Sequence, residues 1–376
     1  MKITFFSDAY EIGGAEFYIR ILIDRLLSHG HNVSLAIPHN SNTEFFIKEL
    51  LKKNIEVFNV PTTPRKFLKS IINSYSFFKN LDADLVHFVL NNPESCNYPI
   101  FISKMYNIKS LATGQLIYNP PQRKYLGLRR RFKLFIISKK FHALNRLIAV
   151  SYQNAKILNE IYNVKKVDVV YNAIDINKYK YNLVKRNYYR NYWKIAPDEI
   201  LIGIIGRLSS QKGHQYFLNI LPRLIKKYNI KAIFVGDGEL RKKYEKFILN
   251  NSLQSHVILA GYQKDIAGIL SALDIFLLPS IREGLPFSII EAMAVGVPVI
   301  CTDVGGIPEI VKNGETGILI PSRNSEIIFK NIEYLIKNNK LRTRLIEKAK
   351  LYVEKNFSID NMYNKTLDIY FSLLKE

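Results

Sequence analysis

Short apolar runs alternate with amphipathic stretches from the start of the chain. Lys2 to Ser7 predicts a buried strand, and Gly14 to His29 predicts a helix whose polar residues recur every four positions. Gly30 is suited to end that helix. Asn32 to Ile37 is again apolar, so the chain begins as strand, helix, strand. This unit builds parallel sheets, and the first half is therefore predicted to be α/β.

The alternation continues in two series of predicted strands. The first series goes on at Leu85 to Leu90, Lys109 to Ala112, Leu147 to Ser151 and Val167 to Tyr171. The second series runs through Leu201 to Gly206, Lys231 to Gly236, His256 to Gly261, Ile275 to Ser280 and Val297 to Thr302. We therefore predict two doubly wound domains facing across a cleft, with ligands beyond the carboxyl ends of the strands.

A segment crowded with Lys, Arg, Asn and Tyr separates the two series. Residues 177–194 lack a strand pattern, and we predict a linker there. The N-terminal domain then spans 1–176 and the C-terminal domain 195–358, which suits a chain of 376 residues. A final amphipathic helix is predicted at about 359–376.

Composition favours a globular cytoplasmic protein. Apolar residues make up 48% of the chain, and the only cysteines, Cys96 and Cys301, show neither disulfide nor zinc spacing. The apolar run at the amino terminus is too short for a signal peptide. No apolar run approaches the roughly 18 residues of a membrane span. We expect a cytoplasmic protein that is soluble or peripheral on the inner face of the membrane.

The net charge of +22 is unevenly distributed. Between Glu94 and Glu160 there are twelve Lys and Arg residues and no acidic residue. Such a region attracts nucleic acid, anionic membrane or phosphorylated substrates, and genomic base composition is a further explanation. Residues 122–146 mix basic residues with Leu, Phe and Ile, which predicts an interfacial helix on an anionic membrane.

Three glycine-containing loops each follow a predicted strand and precede a predicted helix. GGAE contains Gly13 and Gly14, and GDGEL begins at Gly236; both suit either close ligand approach or a simple turn. GDGEL lacks the third glycine of a dinucleotide motif. In GRLSSQKGH, Arg207 and Lys212 could neutralise a diphosphate, although solvated loop cations are an alternative.

The most informative motif is REGLPFSIIEAMAVGVPVI. Glu283 and Gly284 follow a buried strand, and Pro286 is suited to start a helix whose open amides favour anions. Glu291 lies eight residues after Glu283, so the two carboxylates can reach different parts of one extended ligand. Its apolar neighbours favour a cleft-facing side chain over an exposed one.

These motifs together resemble the retaining glycosyltransferases of family 4, which have the GT-B fold. The resemblance rests on GGAE, VSYQNAKIL, VVYNAID, GRLSSQKG, GDGEL, the two glutamates and TDVGGIPEIV, in matching order and spacing. It implies a hexosyl- or other glycosyltransferase that moves a sugar with retention from a UDP- or GDP-sugar. The implied acceptor is a saccharide or a lipid-linked saccharide, in bacterial capsule, lipopolysaccharide or exopolysaccharide synthesis. No metal or other cofactor is expected.

The resemblance also implies roles for particular residues. Arg207 and Lys212 would bind the donor diphosphate, and Glu291 would hold the ribose. Glu283, with the backbone after Gly284, would hold the transferred sugar. The complete set implied for the donor is Gly13, Gly14, Arg207, Lys212, Gly236, Tyr262, Gln263, Glu283, Gly284, Leu285, Phe287 and Glu291, with Tyr262 and Gln263 near the base. The final helix would cross back to the first domain.

The sequence departs from the family at one catalytic position. Many members carry a His after the strand that corresponds to Lys109 to Ala112, where this chain has Gly114 or Gln115. His87 is the remaining candidate in the first domain, and a structural role is the alternative. Three other functions stay open: a sugar-nucleotide epimerase of the same fold, a non-catalytic nucleotide-sugar binder, and a nucleic-acid-binding protein.

Overall fold

The computed structural model of the protein describes residues 1–62, 67–118 and 127–376. These residues form two compact units, one of Met1–Asn172 with Ile359–Glu376 and one of Ala173–Ser358. Each unit contains one sheet of parallel strands connected by helices. The predicted α/β class with two Rossmann-like domains is therefore confirmed.

The described part of the first unit has a seven-stranded sheet. Its strands are β1 (Lys2–Phe6), β2 (Asn32–Ile37), β3 (Glu56–Asn59), β4 (Leu85–Leu90), β5 (Ser110–Gly114), β6 (Arg146–Ala149) and β7 (Val167–Val169), in the order β3-β2-β1-β4-β5-β6-β7. Its helices are α1 (Gly14–Ser28), α2 (Glu44–Leu51), α3 (Phe67–Lys79), α4 (Asn97–Met105), α5 (Leu128–Ala143), α6 (Tyr152–Tyr162) and α16 (Ile359–Lys375). All six residues of β4 are buried, as expected for a parallel strand covered on both faces.

The second unit has a six-stranded sheet. Its strands are β8 (Ile200–Ile205), β9 (Ile230–Val235), β10 (Val257–Gly261), β11 (Ile275–Leu278), β12 (Val299–Thr302) and β13 (Ile318–Ile320), in the order β10-β9-β8-β11-β12-β13. Its helices are α7 (Leu183–Tyr192), α8 (His214–Leu218), α9 (Leu221–Ile225), α10 (Arg241–Asn250), α11 (Ile266–Ala272), α12 (Phe287–Val295), α13 (Ile307–Ile310), α14 (Ser325–Lys337) and α15 (Asn339–Asn356).

The segment predicted as a linker differs in the structure. The second unit begins at Ala173, and residues 177–194 belong to it and contain α7. Arg186 and Arg190 of α7 both hydrogen-bond to Asp274, and Arg186 also reaches backbone carbonyls at the end of α11. The polar side chains that suggested a linker therefore attach this helix to the rest of its unit. The strands β3 and β13 were also missed.

Each sheet has one position at which the strand order reverses. In the first unit it lies between β1 and β4, and in the second between β8 and β11. Ligands of such sheets bind beyond the carboxyl ends of the strands at this position. A ligand-binding site is therefore expected in the loops that follow these strands.

Candidate active site

The loops after β8 and β11 pack against each other at the reversal point of the second sheet. Lys212 ends a 3-10 turn, Ser210–Lys212, that follows β8. The next residue, Gly213, has φ of 72°, and a side-chain carbon there would lie 2.0 Å from the carbonyl oxygen of Pro279. Only glycine permits this backbone contact, so the sequence QKG fixes Lys212 beside the loop after β11.

Lys212 and Glu283 form an ion pair in these loops. Lys212 Nζ lies 2.7 Å from Glu283 Oε1, and the two side chains are only 15% and 7% exposed. Ser280 Oγ donates a second hydrogen bond to the same oxygen at 2.6 Å. Charges with so little access to water are costly when unpaired, so each residue holds the other in place. The pair presents one cation and one carboxylate at the carboxyl edge of the sheet.

The backbone around Glu283 is fixed by the loop after β12. A side-chain carbon at Gly305, where φ is 57°, would lie 1.8 Å from the Glu283 carbonyl oxygen. The Gly306 amide donates to the Gly284 carbonyl at 2.9 Å. The Thr302 hydroxyl donates to the Ser280 carbonyl at 2.7 Å. Glu283 therefore has little freedom of position even without a ligand.

Helix α12 begins directly after this loop. Pro286 is its N-cap residue and provides no side-chain hydrogen bond to the first helical amides. Two of the predicted donor residues, Leu285 and Phe287, are buried on either side of that proline. The first amides of a helix favour an anionic group, and those of α12 start four residues after Glu283.

Glu291 lies on α12 with its side chain buried. Its Oε1 atom accepts a hydrogen bond of 2.7 Å from the Tyr179 hydroxyl. Tyr179 belongs to the segment predicted as a linker, and no sequence motif marked it as a site residue. The two predicted carboxylates thus have different partners, a cation for Glu283 and a hydroxyl for Glu291.

The remaining candidates of the second unit lie after neighbouring strands. Arg207 follows β8 and is exposed. Gly236 follows β9, and a side-chain carbon there would lie 2.3 Å from the Gly206 carbonyl oxygen. After β10, Tyr262 is exposed, and Gln263 donates to the Ala260 carbonyl at 2.7 Å. All four lie at the carboxyl edge of the sheet, as their roles would require.

In the first unit, the GGAE motif forms a capping box at the start of α1. The Gly13 amide donates to Glu16 Oε2 at 2.9 Å, and the Ser7 hydroxyl donates to Glu16 Oε1 at 3.1 Å. Burial raises the pKa of Glu16 above its usual value. The Gly13 amide is thus already satisfied within the chain, which leaves Gly14 as the more accessible glycine for a phosphate.

The structure argues against a catalytic role for His87. Its side chain is fully buried on β4, with Nδ1 2.6 Å from the Tyr370 hydroxyl and Nε2 2.7 Å from the Thr113 hydroxyl. Burial lowers the pKa of His87 to about 3. A histidine that is neutral and bonded through both nitrogens cannot exchange a proton with a substrate. These contacts favour a structural role for His87.

Burial of His87 predicts a loss of stability at acidic pH. Its folded pKa of about 3 lies below the value of about 6.5 in unfolded chains, so the unfolded state binds more protons in between. The stabilisation is present above pH 6.5 and is lost as pH falls. Below pH 6.5 we expect the free energy of unfolding to fall by about 1.4 kcal/mol per pH unit more in the wild type than in His87→Gln. Urea unfolding at pH 7.0, 6.0 and 5.0 measures this, and parallel curves would contradict it.

The basic stretch at 122–146 is described in part. Residues 119–126 lie outside the described residues, and α5 covers the remainder up to Ala143. Phe132 and Phe135 of α5 are 64% and 56% exposed. Lys140, on the same helix, is buried and donates to the Pro93 and Ser95 carbonyls. Within residues 1–62, 67–118 and 127–376, a helix long and apolar enough to span a bilayer is not found.

Two family descriptions match the two parts of the chain. Residues 12–178 match Glycosyltransferase Family 4, and residues 185–352 match Glycosyl transferases group 1. The two parallel-sheet units have the GT-B architecture, and both matching families are glycosyltransferases. The chain belongs to glycosyltransferase family 4 and is a glycosyltransferase.

Several proteins are similar to this chain. An uncharacterized glycosyltransferase of Methanocaldococcus jannaschii is 28% identical over 248 residues, which are 62% of this chain and 63% of that protein. UDP-Gal:alpha-D-GlcNAc-diphosphoundecaprenol alpha-1,3-galactosyltransferase of Escherichia coli is 25% identical over 342 residues, 87% of each chain. The structure of Anabaena HepE with UDP and glucose has a TM-score of 0.83 at 19% identity, over 99% of this chain and 100% of that one. This last similarity supports the GT-B fold.

Proposed function

We propose that this chain is a retaining, metal-independent glycosyltransferase that moves a sugar from a UDP-sugar to a lipid-linked saccharide in bacterial cell-surface polysaccharide synthesis. The observation that carries the proposal is the buried Lys212–Glu283 pair at the reversal point of the second sheet. The resemblance to family 4 implies the donor diphosphate at Lys212 and the transferred sugar at Glu283, and the proposal adopts these roles. Lys212 supplies a positive charge for the diphosphate, and the Glu283 carboxylate supplies hydrogen-bond acceptors for sugar hydroxyls.

Positive charge at this edge suits a diphosphate leaving group. Lys212 and the exposed Arg207 both lie in the loop after β8. Helix α12, which has no side-chain cap at its start, follows the loop after β11. These groups would stabilise the negative charge that develops on the diphosphate as the bond to the sugar breaks. A bound divalent cation would supply the same stabilisation, so we propose that these side chains replace it.

Glu283 and Glu291 would bind the two polyol parts of the donor. The Glu291 carboxylate is buried and accepts a hydrogen bond from the Tyr179 hydroxyl, which holds it in place, and we propose that it binds the ribose hydroxyls. The fixed position of Glu283 suits the hydroxyls of the transferred sugar. HepE binds UDP, and this likeness favours uridine as the base.

The proposed transfer takes place on one face of the sugar. The bond from the anomeric carbon to the diphosphate oxygen breaks, and the acceptor hydroxyl forms a new bond to the same carbon from the same side. The proton of that hydroxyl passes to the departing phosphate oxygen. This step needs no protein carboxylate as nucleophile, and it leaves Glu283 free to keep its pairing with Lys212.

A lipid-linked acceptor is supported by a relative and by a surface of the first unit. The Escherichia coli relative acts on a saccharide attached to diphosphoundecaprenol. In the first unit, α4 packs against both α3 and α5, and each of these three helices exposes apolar side chains. We propose that these exposed side chains together form a membrane-binding surface: Leu68, Ile72, Met105, Phe132 and Phe135. Basic residues of α5 next to it would attract anionic lipid headgroups.

Transfer assays with purified protein test the proposed reaction. UDP-Gal, UDP-Glc, UDP-GlcNAc, UDP-GalNAc and GDP-Man would be incubated with diphosphoundecaprenol-linked GlcNAc, with and without EDTA. We expect one UDP-sugar to be used at a rate that EDTA does not change, and an axial-type α linkage in the product by NMR. Product of inverted configuration would contradict retention, and loss of turnover in EDTA would contradict metal independence. A folded protein that binds no nucleotide would contradict the use of a nucleotide-sugar donor.

Sedimentation with vesicles tests the membrane surface. Wild-type protein is expected to sediment with phosphatidylglycerol vesicles at low salt and to be released as salt rises. The double variant Phe132→Ser/Phe135→Ser should sediment less. Leu351→Ser, which changes an equally exposed apolar residue of the second unit, serves as the control. Equal sedimentation of all three proteins would show that this surface is not the membrane contact.

A further inference from the structure

A buried lysine of the first unit lies behind the loop that follows β4. Lys140, on α5, is fully buried, and its ammonium donates to the Pro93 carbonyl at 2.7 Å and to the Ser95 carbonyl at 2.8 Å. Burying a charged group is costly unless it is hydrogen-bonded, and these two carbonyls supply part of that compensation. Lys140 therefore joins α5 to the backbone of this loop.

The peptide bond between Ser95 and Cys96 is held from both sides. Its carbonyl accepts from Lys140, and its amide donates to Asp8 Oδ2 at 2.6 Å. Asp8 lies in the loop after β1, two residues beyond the end of that strand. One peptide unit thus connects a cation of α5 to a carboxylate of the loop after β1.

The loops after β1 and β4 flank the position at which the first sheet reverses its strand order. A further hydrogen bond runs from Asn91 Nδ2, directly after β4, to Glu16 Oε1 at 3.3 Å. Glu16 also accepts from the Gly13 amide, so the loop after β4 is connected to the glycine motif at the start of α1. The positions of the two loops are therefore coupled through hydrogen bonds.

Stability alone does not explain this arrangement. The φ angle of Cys96 is 55°, in the left-handed region that costs a residue other than glycine about 1–2 kcal/mol. Burial also opposes both charges, since it raises the pKa of Asp8 and lowers the pKa of Lys140 to about 8. Backbone strain clusters at sites where function needs a fixed geometry, and a buried ion pair adds little to stability.

We propose that Lys140 is a positioning residue for sugar transfer. By holding the Ser95–Cys96 peptide against Asp8, its ammonium fixes the loops on both sides of the reversal point of the first unit. The inference rests on the proposed function and deepens it, because it assigns a residue that acts on the substrates through the backbone. The side chains proposed to bind UDP lie in the second unit, so loss of Lys140 should slow transfer without weakening nucleotide binding.

Lys140→Met removes the ammonium and keeps nearly the length of the side chain. With the UDP-sugar and acceptor that the transfer assays select, we expect kcat to fall by about tenfold to 100-fold, since small displacements near reacting groups have effects of this size. The Kd for UDP, measured by isothermal titration calorimetry, should stay unchanged. Lys48→Met, which removes an exposed lysine of α2 in the same unit, should change neither quantity.

A double variant separates positioning from folding. Lys140→Met removes the cation whose charge favours the ionised form of Asp8, so the melting temperature is expected to fall. Adding Asp8→Asn removes the carboxylate charge and keeps an oxygen for the Cys96 amide. The double variant should regain thermal stability and still transfer sugar slowly. Recovery of kcat together with the melting temperature would mean that Lys140 only stabilises the fold, and it would overturn the inference.

The two measurements distinguish failure of this inference from failure of the proposed function. Wild-type protein that binds no UDP or transfers no sugar would contradict the proposed function, and this inference with it. Wild-type protein that does both, together with Lys140→Met of unchanged kcat, would overturn this inference alone. Equal losses of kcat and of UDP affinity in Lys140→Met would indicate a general disruption of the protein and would also overturn it.

Discussion

Replacing Lys212 with alanine is expected to lower kcat/KM by about 100- to 1,000-fold, the usual effect of removing one group that stabilises developing negative charge. Lys212 has two tasks in the proposed reaction. It neutralises the departing diphosphate, and its 2.7 Å contact with Glu283 Oε1 positions the carboxylate that would hold the sugar. Steady-state kinetics with the UDP-sugar that the transfer assays select measures the change. Lys226→Ala removes an exposed cation of the same unit and should leave kcat/KM unchanged.

A double variant distinguishes catalysis from folding in this experiment. Lys212→Ala leaves Glu283 as a buried carboxylate that keeps its hydrogen bond from the Ser280 hydroxyl but has lost its cation, so the variant should also lose stability. Adding Glu283→Gln removes that charge and is expected to restore the melting temperature without restoring activity. Recovery of turnover in the double variant would mean that Lys212 acts by holding the fold and not by binding the donor.

Replacing Arg190 with alanine is expected to destabilise the second unit by about 3–5 kcal/mol, as for other buried ion pairs that lose one partner. Arg190 pairs with Asp274 Oδ2 at 3.0 Å, and its other nitrogen donates to the Ala196 and Glu199 carbonyls at 2.8 and 2.6 Å. Removal of the guanidinium deprives the two carbonyls of this charged donor, whereas Asp274 keeps its hydrogen bonds from Arg186 and the Leu201 amide. Trp193, the only tryptophan of the chain, caps the end of the same helix and reports its unfolding by fluorescence.

The control for Arg190 is an arginine on the surface of the same unit. Arg223 pairs with Glu326, and both side chains are more than half exposed. Exposed pairs contribute about 0–1 kcal/mol, so Arg223→Ala should change the urea midpoint little. If Arg190→Ala changed it equally little, α7 would be attached to its unit by apolar contacts alone, and the polar attachment described here would be wrong.

The parallel sheets could be predicted because their strands are short apolar runs between amphipathic segments. The strand LVHFVL is recognisable in this way, since burial on both faces demands apolar residues at almost every position. The edge strand EVFN has only partly buried or exposed residues and lacks that pattern. Helix α7 was missed for a different reason. Its arginines are satisfied by Asp274, which is more than 80 residues away, and no local pattern shows such a partner.

The candidate site was predictable as a set of residues but not as a set of contacts. Lys212 and Glu283 come from separate motifs 71 residues apart, and their direct pairing follows only from the meeting of two loops. Tyr179 gave no signal, because a single tyrosine in a polar segment does not indicate that it reaches Glu291. His87 shows the converse, since a histidine inside an apolar strand gives no sign that it is hydrogen-bonded to the Tyr370 hydroxyl, 283 residues later.

The contact between His87 and Tyr370 bears on the order in which the protein can fold during translation. Tyr370 lies on α16, which the chain reaches only after the whole of Ala173–Ser358 has been synthesised. A nascent chain on the ribosome can therefore complete the second unit while the first still lacks its last helix. Until then the imidazole lacks its Tyr370 partner, and the residues of the first unit that α16 covers stay exposed to aggregation and to chaperones.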